Sequence, residues 1–242
     1  MRRLFVSDVH LDALAPAVTE QFLDFLAVEA PRAAALYILG DLFETWVGDD
    51  DVDAEQARVC AALQRLAAGG VPCFVLHGNR DFLLGSGFAA RASCHLLPDP
   101  IVAEFEGEPV LLTHGDALCT DDAAYQELRS TVRDPGWQRR FLALPRSHRE
   151  GLAAAARAGS RQHTGASEPQ IMDVNPEAVR RAFEATQVRR MIHGHTHRPG
   201  VHQVQLPGGA SAERIVLGAW HEAGSYLELA DGRFRLQSLP RR

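Results

Sequence analysis

The stretch LFVSDVH, residues 4–10, is an apolar run that ends in an aspartate, one spacer and a histidine. The apolar residues predict a short buried β-strand. Successive side chains of a strand point to opposite faces, so Asp8 and His10, two positions apart, share one face. That spacing suits two ligands of one metal ion, although a D-x-H pair alone is also a common polar strand end. The pair gains weight only if other strands end in the same way.

Four further apolar runs do end with a side chain that can bind a metal. Asp41 closes YILGD, Asn79 closes LHGN, His114 lies in LLTHGD, and His195 and His197 close IHGHTH. The carboxyl ends of strands in an open α/β sheet meet along one edge, where ligands bind. Glycine precedes Asp41, Asn79 and His195, which indicates that the backbone passes close to another group there. We therefore expect these strand ends to aim their side chains at one crevice.

Together these residues supply two carboxylates, one amide and four imidazoles, more donors than one tetrahedral zinc ion uses. Because thiolates are missing from the set, a pair of hard or borderline divalent ions fits better: Mn²⁺ is our first choice, and Mg²⁺ and Co²⁺ stay open. We expect one ion to be held by Asp8, His10, Asp41 and His197, and the other by Asp41, Asn79, His114 and His195, with Asp41 bridging. Two such ions about 3.5 to 4 Å apart activate water and stabilise a displacement at phosphorus, which predicts phosphoester hydrolysis.

The composition limits the class of protein. The net charge of -6 over 242 residues argues against a general nucleic-acid binder. All 25 basic residues are arginine, which excludes lysine chemistry such as a Schiff base. The scattered residues Cys60, Cys73, Cys94 and Cys119 are expected to be reduced core thiols. Without a membrane-spanning run or room for a signal peptide, we expect a cytoplasmic protein. We also expect a monomer.

Strand and helix patterns alternate through the first half of the chain. The runs that end at Asp8, Asp41, Asn79 and His114 are separated by helical stretches such as residues 54–68. That alternation is typical of βαβ units and predicts a largely parallel sheet with helices on its faces. The closing strands are expected to form an antiparallel edge or a second sheet.

A helical stretch interrupts this rhythm in the second half. Between residues 133 and 161 it carries seven arginines and two acidic residues. We expect an inserted helical cap over residues 121–165, on a core formed by residues 1–120 and 166–242. The cap is either a solvated helix pair or a lid whose apolar side contacts an apolar ligand or a membrane surface. The GDDD run at 48–51 lacks the spacing of an EF-hand and is expected to be a solvated loop.

The order D-x-H, G-D, G-N, a lone histidine and G-H-x-H resembles the calcineurin-like metallophosphoesterase superfamily. The resemblance implies an α/β fold, a β-sandwich flanked by helices (αββα), with the cap as an insertion. The usual third block of the superfamily is G-N-H-[DE], whose histidine assists the transition state, but this chain has GNRD with Arg80 there. The planar group of arginine can hold a phosphate and offset charge without donating a proton. That departure favours a substrate with a good leaving group, such as a pyrophosphate.

Longer blocks are similar to one family of that superfamily, the UDP-2,3-diacylglucosamine pyrophosphohydrolases of lipid A biosynthesis. The blocks are YILGDLFETWVGDDD, HGNRDFLLG, HGDALCTDDAAYQ, IMDVN and IHGHTHRP followed by VLGAWH. The resemblance implies Mn²⁺-dependent attack of water on the α-phosphorus of UDP-2,3-diacylglucosamine, giving UMP and 2,3-diacylglucosamine 1-phosphate (lipid X). It also implies a cap that receives the acyl chains and peripheral association with the cytoplasmic face of the inner membrane.

The same resemblance assigns site residues. Catalytic roles fall on Asp41, Asn79, Arg80, His114 and His195, and substrate contacts on Asn79, Arg80, Asp122, Ser160, Thr164, Ser167 and His195. Thr164 and Ser167 stand where the family normally has asparagine and lysine, and Ser167 cannot supply the charge. Arg157 or Arg161 is our candidate for the missing charge.

Other polar residues near the motifs are given supporting roles. Glu44 is expected to support a ligand rather than to act as a base. Asp81 and Asp116 could each orient a ligating histidine or an arginine. His77 and His193 are interpreted as hydrogen-bonded core imidazoles.

Two other functions stay open on the sequence. The first is a soluble nucleotide phosphodiesterase or dinucleoside polyphosphate hydrolase on the same metal core, for which an apolar cap would be superfluous. The second is a non-catalytic scaffold that keeps the fold as a binding module. A scaffold is expected to show a damaged ligand set, whereas every ligand position here is filled.

Overall fold

Two β-sheets, packed face to face, form the centre of the molecule. The computed structural model describes residues 1–50, 52–166, 173–221 and 223–239, and of residues 160–166 it gives the helical backbone alone. Its strands are β1 (Arg3–Val6), β2 (Ala35–Leu39), β3 (Cys73–Leu76), β4 (Cys94–Leu96), β5 (Ile101–Phe105), β6 (Glu108–Leu112), β7 (Arg190–His193), β8 (Gly200–Gln205), β9 (Ser211–Val216), β10 (Ser225–Ala230) and β11 (Arg233–Ser238). Its helices are α1 (Pro16–Val28), α2 (Ala54–Ala68), α3 (Ser86–Ala92), α4 (Ala123–Val132), α5 (Pro135–Leu142), α6 (Arg146–Ala166) and α7 (Pro176–Thr186).

Both sheets are mixed. The first has the order β11-β10-β1-β2-β3-β4, with β1 to β4 parallel and β10 and β11 antiparallel. The second has the order β5-β6-β7-β9-β8, with β6, β7 and β9 parallel. The parallel units predicted for the first half are confirmed for β1 to β4. The prediction is wrong for the run before His114, because β6 leaves that sheet and starts the parallel part of the second one.

Strand β1 shows why the first sheet is covered on both faces. Leu4 and Val6 pack in one apolar cluster with Phe22 and Phe25 of α1, whereas Phe5 packs in another cluster between the sheets. A strand with apolar residues at every position is buried on both sides, as in parallel sheets covered by helices. The continuous apolar run therefore places β1 in the middle of the molecule.

The second sheet is likewise covered on both faces, by the first sheet on one side and by a helix on the other. Leu112 and Ile192 point toward the first sheet, and Leu111 and Met191 pack on the other side with Phe183 of α7. The layers are therefore helix, sheet, sheet and helix. This αββα order confirms the predicted fold class.

Local signals explain where several helices begin. Asp53 starts α2 with a capping box. Its side chain accepts a hydrogen bond from the Gln56 amide, and the Gln56 side chain accepts one from the Asp53 amide. Asn175 caps α7 in a similar way, accepting from the amides of Glu177 and Ala178. These bonds satisfy backbone donors that have no partner within the helix.

Two further expectations concern the core and the membrane. Cys60, Cys73, Cys94 and Cys119 are buried thiols that are not joined in disulfides, as predicted. In the part of the chain that the structure describes, no helix combines the length and the apolar character needed to cross a bilayer.

Replacing Phe22 with alanine should lower the free energy of unfolding by about 3–5 kcal/mol, because the ring is fully buried and its removal leaves a cavity. The ring lies 5.3 Å from the Trp220 ring between centroids. Urea unfolding followed by tryptophan fluorescence measures the loss. Leu14→Ala is the control, since Leu14 is 91% exposed and should change the stability little. Equal midpoints for both variants would contradict this account of the core.

Candidate metal centre

The predicted metal ligands lie in the loops that leave five strands. Asp8 and His10 follow β1, and Asp41 follows β2 in the first sheet. Asn79 follows β3, His114 follows β6, and His195 and His197 follow β7. The ligands thus come from both sheets, not from one sheet edge. The parallel strands of the two sheets end on the same side of the sandwich, where their loops meet.

One group of ligand atoms surrounds Asp8. The ligand atoms of Asp8, His10 and His197 lie within 4.8 Å of one another. His197 Nε2 is 3.4 Å from Asp8 Oδ1 and 3.2 Å from His10 Nε2. These are the three residues expected to share one ion with Asp41.

A second group surrounds Asp41. Asp8, Asp41 and His114 also place their ligand atoms within 4.8 Å of one another. Asp41 Oδ2 lies 3.6 Å from His114 Nε2 and 3.7 Å from His10 Nε2, so it faces both groups. This is the position that a bridging carboxylate would need.

Asn79 connects the remaining histidine to the second group. Its Oδ1 lies 3.0 Å from His114 Nε2 and 2.9 Å from His195 Nδ1. All seven predicted ligands are therefore brought together around one small volume.

The backbone of these loops adopts an unusual conformation. Left-handed φ angles of 53° at Asp8, His10 and Asp41, 67° at His195 and 55° at His197 occur in residues that are not glycine. Such conformations cost free energy and concentrate at functional sites, where the surrounding structure holds them. Here they turn the backbone so that consecutive strand ends present their side chains inward.

Two glycines allow the loops to approach. A Cβ atom on Gly78 would lie 2.0 Å from Asp41 Oδ1. One on Gly194 would lie 1.9 Å from Ser7 Oγ and 2.2 Å from Asp8 Oδ2. The expectation that glycine marks close backbone approach is confirmed at both positions.

The electrostatics of the cluster suit cations. Burial raises the pKa of the Asp41 carboxyl to about 6, although the imidazoles of His114 and His10 act in the opposite direction. Burial would lower the pKa of His114, but the carboxylates of Asp41 and Asp8 outweigh it and raise that pKa to about 9. Burial and the neighbouring His114 lower the pKa of His195 to about 4, which leaves that imidazole neutral and able to bind a metal.

Asp8 provides a direct test of whether a cation fits. Its Oδ2 accepts hydrogen bonds from Ser7 Oγ (2.5 Å) and from the His195 amide (2.9 Å). Its Oδ1 is buried and accepts no hydrogen bond of normal geometry from any described residue, since the His197 imidazole comes only within 3.4 Å of it, at Nε2. A buried carboxylate oxygen without a donor is costly, and a metal ion would satisfy it. The donor set therefore fits divalent cations.

Supporting contacts hold the ligands in place. Glu44 Oε2 lies 2.8 Å from His10 Nδ1, in agreement with its expected supporting role, and Leu39 O lies 2.9 Å from His114 Nδ1. The expectation for Asp81 is wrong, since its carboxylate binds backbone amides of Gly78 and Leu42, at 2.8 Å each, instead of a histidine or an arginine. Asp81 thereby ties together the loops that carry Asn79 and Asp41.

Asp116 does orient an arginine, as predicted. Its Oδ2 accepts from Arg129 Nε at 2.7 Å and from the Tyr125 hydroxyl at 2.6 Å. The Tyr125 ring is stacked on the His195 ring, with centroids 6.0 Å apart. Nothing in the spacing of the sequence had pointed to Tyr125, because this contact joins α4 to a distant loop.

His193 is a buried, hydrogen-bonded imidazole, as interpreted, whereas His77 is hydrogen-bonded but only partly buried. His77 Nε2 contacts Leu84 O at 2.7 Å, and His193 Nδ1 contacts Gly194 O at 2.8 Å. Both histidines are thus occupied by backbone partners.

The structure describes only some of the residues that the resemblance assigns to substrate binding. Arg80 is anchored through its backbone amide, which donates to Asp41 Oδ1 at 2.8 Å. Asp122 caps α4 and accepts from the Tyr125 amide at 3.0 Å. The side chains of Ser160 and Thr164 lie outside the described residues, and so do that of Arg161 and the whole of Ser167.

A cavity of about 530 Å³ adjoins the metal centre. Asn79 and Arg80, from the loop after β3, line it. Most of the remaining wall is apolar and comes from the core and from α4, α5 and α6: Trp46, Phe82, Leu83, Leu128, Trp137, Phe141, Leu144 and Leu152. Four more arginines also line it: Arg129, Arg133, Arg140 and Arg157. An apolar wall that carries cationic groups suits an amphiphile with an anionic head.

Comparisons with known proteins agree with this geometry. The family model described as calcineurin-like phosphoesterase matches residues 1–199. A protein of Serratia proteamaculans named UDP-2,3-diacylglucosamine hydrolase is 48% identical over 240 residues, which cover 99% of this chain and 100% of that protein. The protein of the same name from Escherichia coli O81 is 49% identical over the same shares of both chains.

A solved structure supports the fold. The structure described as a novel archaeal phosphodiesterase aligns with a TM-score of 0.51 and 12% identity, over 99% of this chain and 100% of that chain. At that identity the likeness concerns the fold alone. From the matched family model and the full-length relatives, the chain belongs to the calcineurin-like phosphoesterase family and, within it, to the group of proteins named UDP-2,3-diacylglucosamine hydrolase.

Proposed function

We propose that this chain hydrolyses UDP-2,3-diacylglucosamine at its diphosphate, giving UMP and 2,3-diacylglucosamine 1-phosphate for lipid A biosynthesis. The observation that carries the proposal is that the metal centre opens directly into an apolar cavity: Asn79 belongs to the centre and also lines the cavity. The substrate has a diphosphate next to two acyl chains, which matches this pair of sites. The names of the full-length relatives support the same substrate.

The proposed cofactor is a pair of divalent cations, Mn²⁺ first, with Mg²⁺ and Co²⁺ as alternatives. The residues proposed to hold them are Asp8, His10, Asp41, Asn79, His114, His195 and His197. When bound, such ions polarise phosphoryl oxygens and make water a stronger nucleophile at neutral pH. Attack of water on the α-phosphorus would put the water oxygen on UMP and release the bridging oxygen with 2,3-diacylglucosamine 1-phosphate.

Arg80 is proposed to hold the diphosphate. Its backbone is fixed by Asp41, and its guanidinium reaches the cavity wall, 4.0 Å from Glu44 Oε1. A guanidinium can bind two phosphoryl oxygens at once and offset the charge that develops as the phosphate leaves. It does so without a proton transfer, which suits a phosphate leaving group.

Residues 121–165 are proposed to form the cap that receives the acyl chains, on a core of residues 1–120 and 166–242. The helices α4, α5 and α6 lie in this stretch and supply Trp137, Phe141 and Leu152 to the cavity wall. Ser160, Thr164 and Ser167, together with Asp122, stay proposed substrate contacts.

The cap is also proposed to rest on the cytoplasmic face of the inner membrane. Leu142, Leu144 and Leu152 are at least one-third exposed, although leucine is usually buried. Exposed arginines such as Arg139 lie in the same helices. Apolar side chains among arginines suit the surface of an anionic membrane. We propose a monomer that extracts its lipid substrate there and has no nucleic-acid partner.

The alternative is a soluble nucleotide phosphodiesterase on the same centre. It explains the metal ligands equally well but leaves the apolar cavity without a role. Incubation of the purified protein and Mn²⁺ with UDP-diacylglucosamine, and separately with bis-p-nitrophenyl phosphate, separates the two. Release of UMP at a much higher kcat/KM than cleavage of the small diester supports the proposed function, and the reverse preference supports the alternative.

Replacing Asp41 with alanine should abolish both metal binding and turnover, because its carboxylate faces both groups of ligands. Mass spectrometric metal analysis after dialysis against Mn²⁺ should find two ions per wild-type chain and far fewer in the variant. EDTA should inactivate the wild-type enzyme, and added Mn²⁺ should restore it. Asp12→Ala is the control, since Asp12 accepts from the Leu14 amide outside the centre. Full occupancy in Asp41→Ala would refute the bridging role.

Replacing Arg80 with alanine should lower kcat about 10²- to 10³-fold, because a charge that stabilises the transition state is lost. The bound Mn²⁺ should stay as in the wild type, since the backbone amide still donates to Asp41. Arg80→Lys keeps the charge without the planar group, so its kcat should lie between those of the wild type and Arg80→Ala. Loss of metal from Arg80→Ala, or an unchanged kcat, would contradict the proposed role.

Replacing Leu128 and Leu152 with serine should raise KM for the diacylated substrate about tenfold, since the lost apolar contact is worth about 1–2 kcal/mol. Both side chains line the cavity and are about half exposed, at 50% and 52%, so folding should not depend on them. An analogue with short acyl chains should show a smaller rise. Leu14→Ser is the control, since Leu14 is exposed and does not line the cavity. Equal rises for both substrates would argue against a lipid-binding wall.

A further inference from the structure

Arg149 in α6 is buried although it is an arginine. Its side chain is 2% exposed, and its guanidinium has three partners. Nη1 donates to Val47 O at 2.6 Å, Nε donates to Leu144 O at 3.0 Å, and the group forms a two-pronged ion pair with the Asp50 carboxylate. A buried charge keeps its cost low only when it is paired and hydrogen-bonded, and here Nε, Nη1 and Nη2 all donate.

The partners of Arg149 belong to segments that border the cavity. Val47 and Leu144 themselves line it, and Leu152 of α6 lies one turn beyond Arg149. One guanidinium therefore joins a core loop, the turn before α6 and α6 itself. It touches none of the proposed catalytic groups.

The core loop is held on its other side by the preceding aspartate. Asp49 accepts from Trp46 Nε1 at 2.9 Å and from the amides of Gly85 and Gly87, at 3.1 Å and 2.8 Å, at the start of α3. Two adjacent aspartates thus bind different parts of the molecule. Asp49 binds the core at the start of α3, and Asp50 binds Arg149 in the proposed cap. The interpretation of this run as a solvated loop is wrong for Asp49, which is partly buried, whereas Asp50 is 61% exposed, as expected, although it is paired with Arg149; Asp51 lies outside the described residues.

Gly48 makes the contact possible. Its φ is +140°, and a Cβ atom there would lie 2.3 Å from Arg149 Nη1. Any other residue would push the guanidinium away from Val47 O. Glycine at position 48 therefore allows Arg149 to reach this loop.

We propose that the Arg149–Asp50 pair is a positioning contact that sets the spacing between α6 and the loop of residues 46–50, and through it the affinity of the cavity for the acyl chains. The proposal rests on the proposed function for the identity of the ligand. Arg149 does not bind substrate; it acts through Val47 and Leu152, whose separation it determines. Loss of either partner frees the loop and α6 to move apart.

The test uses the full-length Mn²⁺ enzyme with Arg149→Met, Asp50→Asn and the double variant. Arg181→Met is the matched control, an exposed arginine of α7 that lies outside both the cavity wall and the proposed cap. Asp50 is 61% exposed, so Asp50→Asn keeps the fold even where Arg149→Met does not. Hydrogen exchange of residues 46–50 and 147–156 is measured first, and kcat and KM second, for the diacylated substrate and for bis-p-nitrophenyl phosphate.

Amides of both segments should exchange at least about fivefold faster in the two single variants than in the control. The preference for the diacylated substrate over the small diester, as a ratio of kcat/KM values, should fall about tenfold, mainly through KM. The double variant should be no worse than Arg149→Met, since both residues act through one contact. This non-additivity is a result that general destabilisation would not produce.

Unchanged exchange and an unchanged KM in Asp50→Asn would overturn the proposal. So would an equal loss on both substrates, because the contact would then act on the metal centre. A wild-type enzyme without activity on the diacylated substrate would refute the proposed function and the role in acyl affinity, while the exchange rates would still decide whether the pair docks α6.

Discussion

The rest of the site depends on the buried carboxylate of Asp41, where loops from both sheets meet. Its Oδ1 accepts from the Arg80 amide at 2.8 Å, and its Oδ2 lies 3.6 Å from His114 and 3.7 Å from His10. Loops after β1, β2, β3 and β6 therefore converge on one side chain. Burying a carboxylate next to the carboxylates of Asp8 and Asp81 is unfavourable without cations nearby, so this arrangement is hard to explain as a purely structural one. The left-handed backbone of five ligand residues adds to the same cost and points to the same conclusion.

The centre and the cavity share supporting residues. Glu44 lies 2.8 Å from His10 Nδ1, and its carbonyl oxygen accepts from Arg157 of α6 at 3.2 Å. Tyr125 of α4 is stacked on His195 and bound to Asp116. Helices proposed to bind the lipid thus contact the groups that hold proposed metal ligands. Substrate seated against α4 and α6 would be placed next to the centre by the same contacts that orient the histidines.

Several features escaped the sequence because they depend on contacts between distant segments. The apolar run of β6 has the same local pattern as those of β1 to β3, and only its pairing with β5 and β7 assigns it to the second sheet. Asp81 was expected near a histidine or an arginine, but its partners are backbone amides, which carry no sequence signal. The hydrogen bonds of Asp49 and the ion pair of Asp50 were missed because their partners, Gly85 before α3 and Arg149, lie 36 and 99 residues away along the chain.

The sequence by itself determined the seven candidate ligands and, through the family resemblance that their motifs carry, the αββα fold class. Continuous apolar runs predict strands buried on both faces, and a polar residue directly after each run must lie at a strand end. These are local properties, so residue order and spacing contain them. The tertiary structure alone decided that the ligands come from two sheets, that Asp41 faces both groups, and that Arg149 fastens α6 to a core loop. Distances between side chains far apart in the chain depend on how the layers pack, and spacing along the sequence does not specify that packing.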